Sequence, residues 1–185
     1  NNVGQASIPG KSLMLSTDRR LQEAAEDNFL GTAGAVIVMD VRTGFILAMS
    51  SFPTYDPNIM TGRQSGKLWK TLSRDKDRPL TNKAIQDHFA PGSTYKTITA
   101  IAGLKEGLVH ARSIRTCPGY YRMGKASWRC YQRSGHGPVH LRHALQKSCD
   151  TYFYNLGHEL GIDRLADTSR LFGFGEITGL GLERE

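Results

Sequence analysis

Phe89-Ala90-Pro91-Gly92-Ser93-Thr94-Tyr95-Lys96, followed at once by Thr97-Ile98-Thr99-Ala100-Ile101-Ala102-Gly103-Leu104, is the stretch around which the chain is organised. Pro91 and Gly92 punctuate the backbone ahead of an apolar helical run. Ser93 and Lys96 are therefore predicted in the first turn of a helix that runs to Glu106 and stops at Gly107. Residues three apart share one helix face. A serine hydroxyl is a weak nucleophile until a neighbour takes its proton, and a lysine amine serves if burial disfavours its charged form. The apolar residues after Lys96 supply that burial. The same spacing recurs at Ser73-Arg74-Asp75-Lys76, but inside a run of charges with no apolar helix after it. That lysine is expected to stay solvated, and Ser73 is read as a decoy. On this stretch alone, a plain helix N-terminus with an exposed lysine competes with the activated-serine reading.

The chain has 185 residues, enough for one domain that buries about 70% of the surface exposed by its unfolded form. Its formal charge of +7 is scattered, with acidic and basic residues interleaved over most of the length. The densest basic stretch, Arg112 to Arg142, also carries Tyr120, Tyr121, Trp128 and Tyr131. Such a mixture is read as a solvated hairpin surface, and no nucleic-acid partner is expected. No stretch approaches the roughly 20 apolar residues that cross a bilayer, and no signal-peptide pattern opens the chain. The polar start is expected to be a fragment boundary from which an anchor has been cut.

In chain order, residues 1–11 read as an irregular lead-in. Asp18 caps an amphipathic helix to about Phe29, built on Leu21, Ala24 and Ala25. Ala35 to Met39 and Phe45 to Met49 form a hairpin whose strands are apolar on both faces, so helices are expected on both sides of the sheet. Residues 51–80 are rich in turn signals and predict at most short helices. A small hairpin turning near Gly124 is expected between Ile114 and Val139. A helix restarts at Leu141 and is interrupted at Ser148-Cys149-Asp150. It then resumes through Tyr152, Phe153, Leu156 and Leu160 to Gly161, and one more helix runs from Asp163 to Gly173.

Ser148-x-Asp150 is the second element of interest. A hydroxyl and a carboxylate between two helices can share a cleft, one relaying a proton and the other orienting an amine. An ordinary helix cap is the alternative for this motif taken alone. With Ser93 and Lys96, the chain resembles the class B penicillin-binding proteins, whose signature is Ser-x-x-Lys, then Ser-x-Asn or Ser-x-Asp, then Lys-Thr-Gly on a strand. The likeness extends from about Ser12 onward, through Asp18 to Ala25, Gly34 to Asp40, Thr43 to Met49 and Phe52 to Asn58 in the same order. Gly135-His136-Gly137 and Ser148 to Tyr154 look like the elongation branch, the penicillin-binding protein 2 group.

The resemblance implies an α/β transpeptidase fold of the serine β-lactamase-like type, an antiparallel sheet with helices on both faces. Residues 12–185 would be the N-terminal part of that domain. It implies a D,D-transpeptidase that joins peptidoglycan stem peptides through an acyl-serine and is trapped by β-lactams, with Ser93, Lys96, Ser148 and Asp150 as its catalytic groups. A place on the periplasmic face of the bacterial inner membrane is implied too, with anchorage by a segment absent from this chain. The implied partners are a membrane glycosyltransferase and elongation-complex proteins. The Lys-Thr-Gly motif is absent from residues 1–185, and its strand is expected from further sequence or another chain. A noncatalytic β-lactam sensor or scaffold of the cell-wall machinery is the rival reading.

Three cysteines are an odd number for a simple disulfide framework. Cys117, Cys130, His136 and Cys149 make a complete tetrahedral zinc set, and the resemblance includes relatives with a zinc site near the second motif. A Cys117–Cys130 disulfide with Cys149 as a buried free thiol, or three unlinked thiols, are the other readings.

Overall fold

The structure is a computed structural model that describes residues 10–31, 33–58 and 65–181. By its internal contacts the chain divides at His88 and Phe89, and the second unit spans Phe89–Gly179. The expected lead-in, residues 1–11, lies almost wholly outside the described residues.

In the first unit, α1 (Arg19–Asp27) starts where expected. The Asp18 carboxylate accepts from the backbone N–H of Arg20 at 2.9 Å and of Leu21 at 3.3 Å, a cap contributing about 1 kcal/mol. Strands β1 (Gly34–Met39) and β2 (Ile46–Phe52) pair antiparallel, Gly34 opposite Phe52, with a register shift between Val38 and Met39. Alternation along β2 sends Ala48, Ser50 and Phe52 to one buried face, where α1 packs. Gln22 ties the two together. Its side chain donates to Met49 O and Ser50 Oγ and accepts from Met49 N.

The opposite face carries Ser51, whose hydroxyl accepts from the N–H of Lys83 at the start of the short helix α3 (Lys83–Gln86). Both faces thus meet a helix, as the apolar strands predicted. Four residues of α3 cover little, however, and Ile37 stays 47% exposed. The turn-rich segment holds one helix of nine residues, α2 (Ser65–Ser73). Residues 59–64 of that segment lie outside the described residues.

The second unit is built on α4 (Lys96–Lys105), preceded by a 3-10 turn at Gly92–Tyr95. It packs against α6 (Asp150–Arg170) at Gly103, where a Cβ would come within 2.9 Å of the Leu156 and Val109 side chains. Ala100, Ala102, Val109, Leu141, Ala144, Tyr152, Phe153 and Leu156 form the core between them and α5 (Leu141–Gln146). β3 (Ile114–Cys117) pairs antiparallel with β6 (Gly137–His140), and between them stands the hairpin of β4 (Tyr120–Met123) and β5 (Ala126–Arg129), turning at Gly124 as expected. Gly161 breaks the long helix with non-helical backbone at φ 74°, matching the predicted boundary. Arg115 of β3 makes a two-pronged ion pair with Glu159 of α6 and lies over the Tyr152 ring, 5.6 Å from its centroid.

Candidate active site

Ser93 lies three residues before the α-helix in whose first turn the sequence placed it. It belongs to the 3-10 turn, and Lys96 is the first residue of α4. With three residues per turn, side chains at i and i+3 eclipse, so the turn aligns Ser93 with Lys96 more directly than an α-helix would. Tyr95 fastens the turn from the other side, its phenol oxygen 2.7 Å from Ser169 Oγ on α6. Ser93 is exposed, whereas Lys96 is 9% exposed, which is the burial that the apolar run predicted.

Ser148 lies in the tight link between α5 and α6 with φ at 44°, in the left-handed region that non-glycine residues seldom enter. Backbone bonds hold the link, Ser148 N to Leu145 O at 3.0 Å and Cys149 N to Ala144 O at 2.8 Å. This conformation turns both the carbonyl and the hydroxyl of Ser148 toward Lys96. Lys96 Nζ lies 2.9 Å from Ser148 O, 3.0 Å from Ser148 Oγ, 3.1 Å from Ser93 Oγ and 2.5 Å from Asp150 Oδ1. Ser148 Oγ donates to Ser93 Oγ at 2.8 Å. Asp150 opens α6, and its second oxygen accepts the backbone N–H of Tyr131 at 3.1 Å. All four predicted catalytic residues therefore meet around one amine. Ser73 ends α2 as an exposed residue whose hydroxyl donates to Lys70 O at 3.3 Å.

The four predicted metal ligands also converge. Cys117, Cys130 and Cys149 are buried free thiols, and with His136 their donor atoms lie within 4.8 Å of one another. Two glycines permit this. Gly119 (φ 93°) and Gly135 (φ 82°) cross so closely that a Cβ would stand 2.2 Å from Arg133 O at the first and 2.3 Å from Cys117 O at the second. The crossing draws Cys130 and His136 over the end of β3, where Cys130 Sγ is 3.6 Å from His136 Nδ1. Tetrahedral zinc with sulfur at about 2.3 Å spaces its ligands about 3.8 Å apart, so the cluster fits that ion after a small contraction.

The thiols differ in acidity. Burial pushes Cys117 up, but hydrogen bonding from the Thr151 side chain, from the backbone at His136 and Gly119 and from the His136 ring outweighs it and holds Cys117 below its ordinary value. The Thr151 contribution is weak, since its buried hydroxyl makes no hydrogen bond within ordinary geometry. Burial and the neighbouring thiols push Cys149 up to about 12. Without a cation the sulfurs cannot all ionise; a dication would reverse the order at Cys149. The Tyr131 amide was the one site group invisible in the sequence, because a backbone donor leaves no residue signature.

Comparison with known proteins follows the same lines. The family model described as the penicillin binding protein transpeptidase domain matches residues 34–185. The chain is 39% identical over 178 residues to the peptidoglycan D,D-transpeptidase MrdA of Acinetobacter baumannii, an alignment covering 95% of this chain and 26% of that protein. It thus spans about a quarter of the length of the curated relatives it matches. Pseudomonas aeruginosa PBP2, solved in complex with WCK 5153, superposes with a TM-score of 0.87 at 44% identity, over 96% of this chain and 41% of that one. Penicillin-binding protein A of Mycobacterium tuberculosis, solved as an imipenem acyl-enzyme, gives 0.81 at 32% identity, over 87% of this chain and 40% of that one.

Proposed function

The chain belongs to the penicillin-binding protein transpeptidase family, and from that premise we propose that it carries the acyl-transfer groups of a peptidoglycan D,D-transpeptidase that β-lactams acylate. The observation that supports this reading is the position of Lys96 Nζ, within hydrogen-bond reach of Ser93 Oγ, Ser148 Oγ and Asp150 Oδ1 together. Ser93 Oγ attacks the carbonyl carbon of the penultimate D-Ala of a stem peptide. Its proton passes to Lys96 Nζ, which accepts it as the free amine, directly or through Ser148 Oγ, and the ammonium so formed rests against Asp150. Collapse of the tetrahedral adduct breaks the peptide C–N bond. The departing amine of terminal D-Ala takes a proton by way of Ser148, leaving an ester on Ser93. The amine of a second stem peptide then attacks that ester, gives up its proton along the same path, and restores Ser93 as the cross-link closes. These steps use only groups of Ser93, Lys96, Ser148 and Asp150. In the full-length protein, Ser93→Ala should abolish covalent labelling by a fluorescent penicillin and Ser73→Ala should preserve it. The reverse pattern would refute the assignment. The assembled contacts around Lys96 also weigh against a noncatalytic scaffold.

A structural zinc ion belongs to this proposal, held by Cys117, Cys130, His136 and Cys149, whose donor set and spacing suit it. When bound, it would fix the link that carries Ser148 and Asp150 and take no part in the acyl transfer. Metal analysis of the purified protein should find about one zinc per chain. Metal-free protein with a mass two protons below the reduced value would establish the disulfide instead. The proposed setting is the periplasmic face of the inner membrane, beside a membrane glycosyltransferase and elongation-complex proteins. Among the described residues no helix is long and apolar enough to cross a membrane, so anchorage would come from outside them.

A further inference from the structure

We propose that the backbone N–H of Tyr131 is a positioning group for acyl transfer, and that it restricts residue 150 to a carboxylate. The inference rests on the acyl-serine reading of the site. Asp150 is gripped at both ends: Oδ1 faces Lys96 Nζ at 2.5 Å and Oδ2 faces Tyr131 N at 3.1 Å. Both neighbours donate. A carboxylate accepts at both oxygens, whereas an amide of the same shape accepts at one and donates at the other. Asparagine at position 150 would therefore set its NH2 against either the exposed Tyr131 N–H or the buried lysine, and one of the two donors would lose its acceptor.

The Tyr131 amide cannot turn away to relieve such a clash. The preceding residue, Cys130, is buried, with its own N–H bonded to Gly119 O at 2.9 Å. On the other side the Tyr131 ring meets His136 edge-on, with centroids 5.3 Å apart. The side chain itself is 64% exposed, so the constraint lies in the backbone. Asp150 is also fixed from below as the first residue of α6. The consequence is a carboxylate held at both oxygens, whose Oδ1 sets the lateral position of Lys96 relative to Ser93.

The test is a double-mutant cycle in the full-length protein, read as the acylation rate constant and the noncovalent dissociation constant for a fluorescent penicillin. Asp150→Asn should lower the rate constant about 10-fold or more while leaving the dissociation constant within about twofold. Tyr131→Pro, which removes the N–H, should also slow acylation. In the Tyr131→Pro background the Asp150→Asn change should cost at least about threefold less than in the parent, because the opposing donor is gone and only the loss of charge beside Lys96 remains. Equal penalties in the two backgrounds would overturn the proposal. Should Tyr131→Pro fail to fold by thermal melting, hydrogen exchange at the Tyr131 amide decides: protection that is lost in Asp150→Ala, which removes the acceptor altogether, is expected, and equal exchange in both proteins overturns it. If the unsubstituted protein takes no label, the acyl-serine reading falls, and amide exchange still reports on the Tyr131–Asp150 bond by itself.

Discussion

Ser148 shows how a single backbone angle organises the chemistry. Its φ of 44° costs about 1–2 kcal/mol relative to an ordinary conformation, and the return is that its carbonyl and hydroxyl both reach Lys96. Separating the two contributions is straightforward. Ser148→Ala and Ser148→Gly both lack the hydroxyl, so both should acylate about 100-fold more slowly or worse. Glycine adopts the left-handed conformation without strain, so the glycine variant should be the more stable by about 1–2 kcal/mol in denaturant unfolding. Equal stabilities would show that the angle is not strained. Side-chain identities at this level were legible in the sequence: Ser93, Lys96, Ser148 and Asp150 stand where their spacing placed them. Two things were not legible. The 3-10 character of the turn at Ser93 differs from an α-helical first turn by one hydrogen-bond register, which composition does not encode. The Tyr131 amide, like any backbone donor, is specified by the path of the chain and by no residue type.

Among the elements, those with local signals appeared as read. Asp18 capped α1, Gly124 turned the β4–β5 hairpin, and Gly161 interrupted α6. The β3–β6 pairing went unseen, since it joins Ile114 to His140 across an intervening hairpin and neither four-residue strand has a periodic pattern of its own. That pairing is what brings Cys117 beside His136. It is also braced to α6 by the Arg115–Glu159 ion pair, a contact with a pH signature. The hydrogen bonds from Arg115 hold the Glu159 carboxyl below its ordinary value of 4.5. A depressed folded-state value stabilises the fold above pH 4.5 and loses that stabilisation as pH falls through the lower value. Glu159→Gln should therefore melt below the parent protein at pH 7, by a modest margin because Glu159 is 46% exposed. The gap should close as the pH falls from 4.5 through the depressed value. A gap that persists unchanged in acid would mean that packing, and not charge, accounts for the loss.

For the molecule as a whole, the fold class, the family and the pair of motifs were readable because the chain's segments keep the order of the family, and the match over residues 34–185 agrees with that order. The surface charge also has an organisation that the overall +7 conceals. Eight lysines and arginines, and no acidic residue, fall between Glu106 and Asp150, the stretch that supplies Tyr131, Ser148 and all of the thiols. Of the eight, Arg115 alone has an acidic partner among the described residues. The proposed catalytic groups all belong to the unit spanning Phe89–Gly179, and everything proposed for them depends on Ser93 Oγ being the atom that is acylated. Peptide mapping of the full-length protein after reaction with penicillin tests that most directly. The account predicts a single adduct on the peptide containing Ser93, absent from Ser93→Ala. An adduct on the Ser73 peptide, or undiminished labelling of Ser93→Ala, would contradict it.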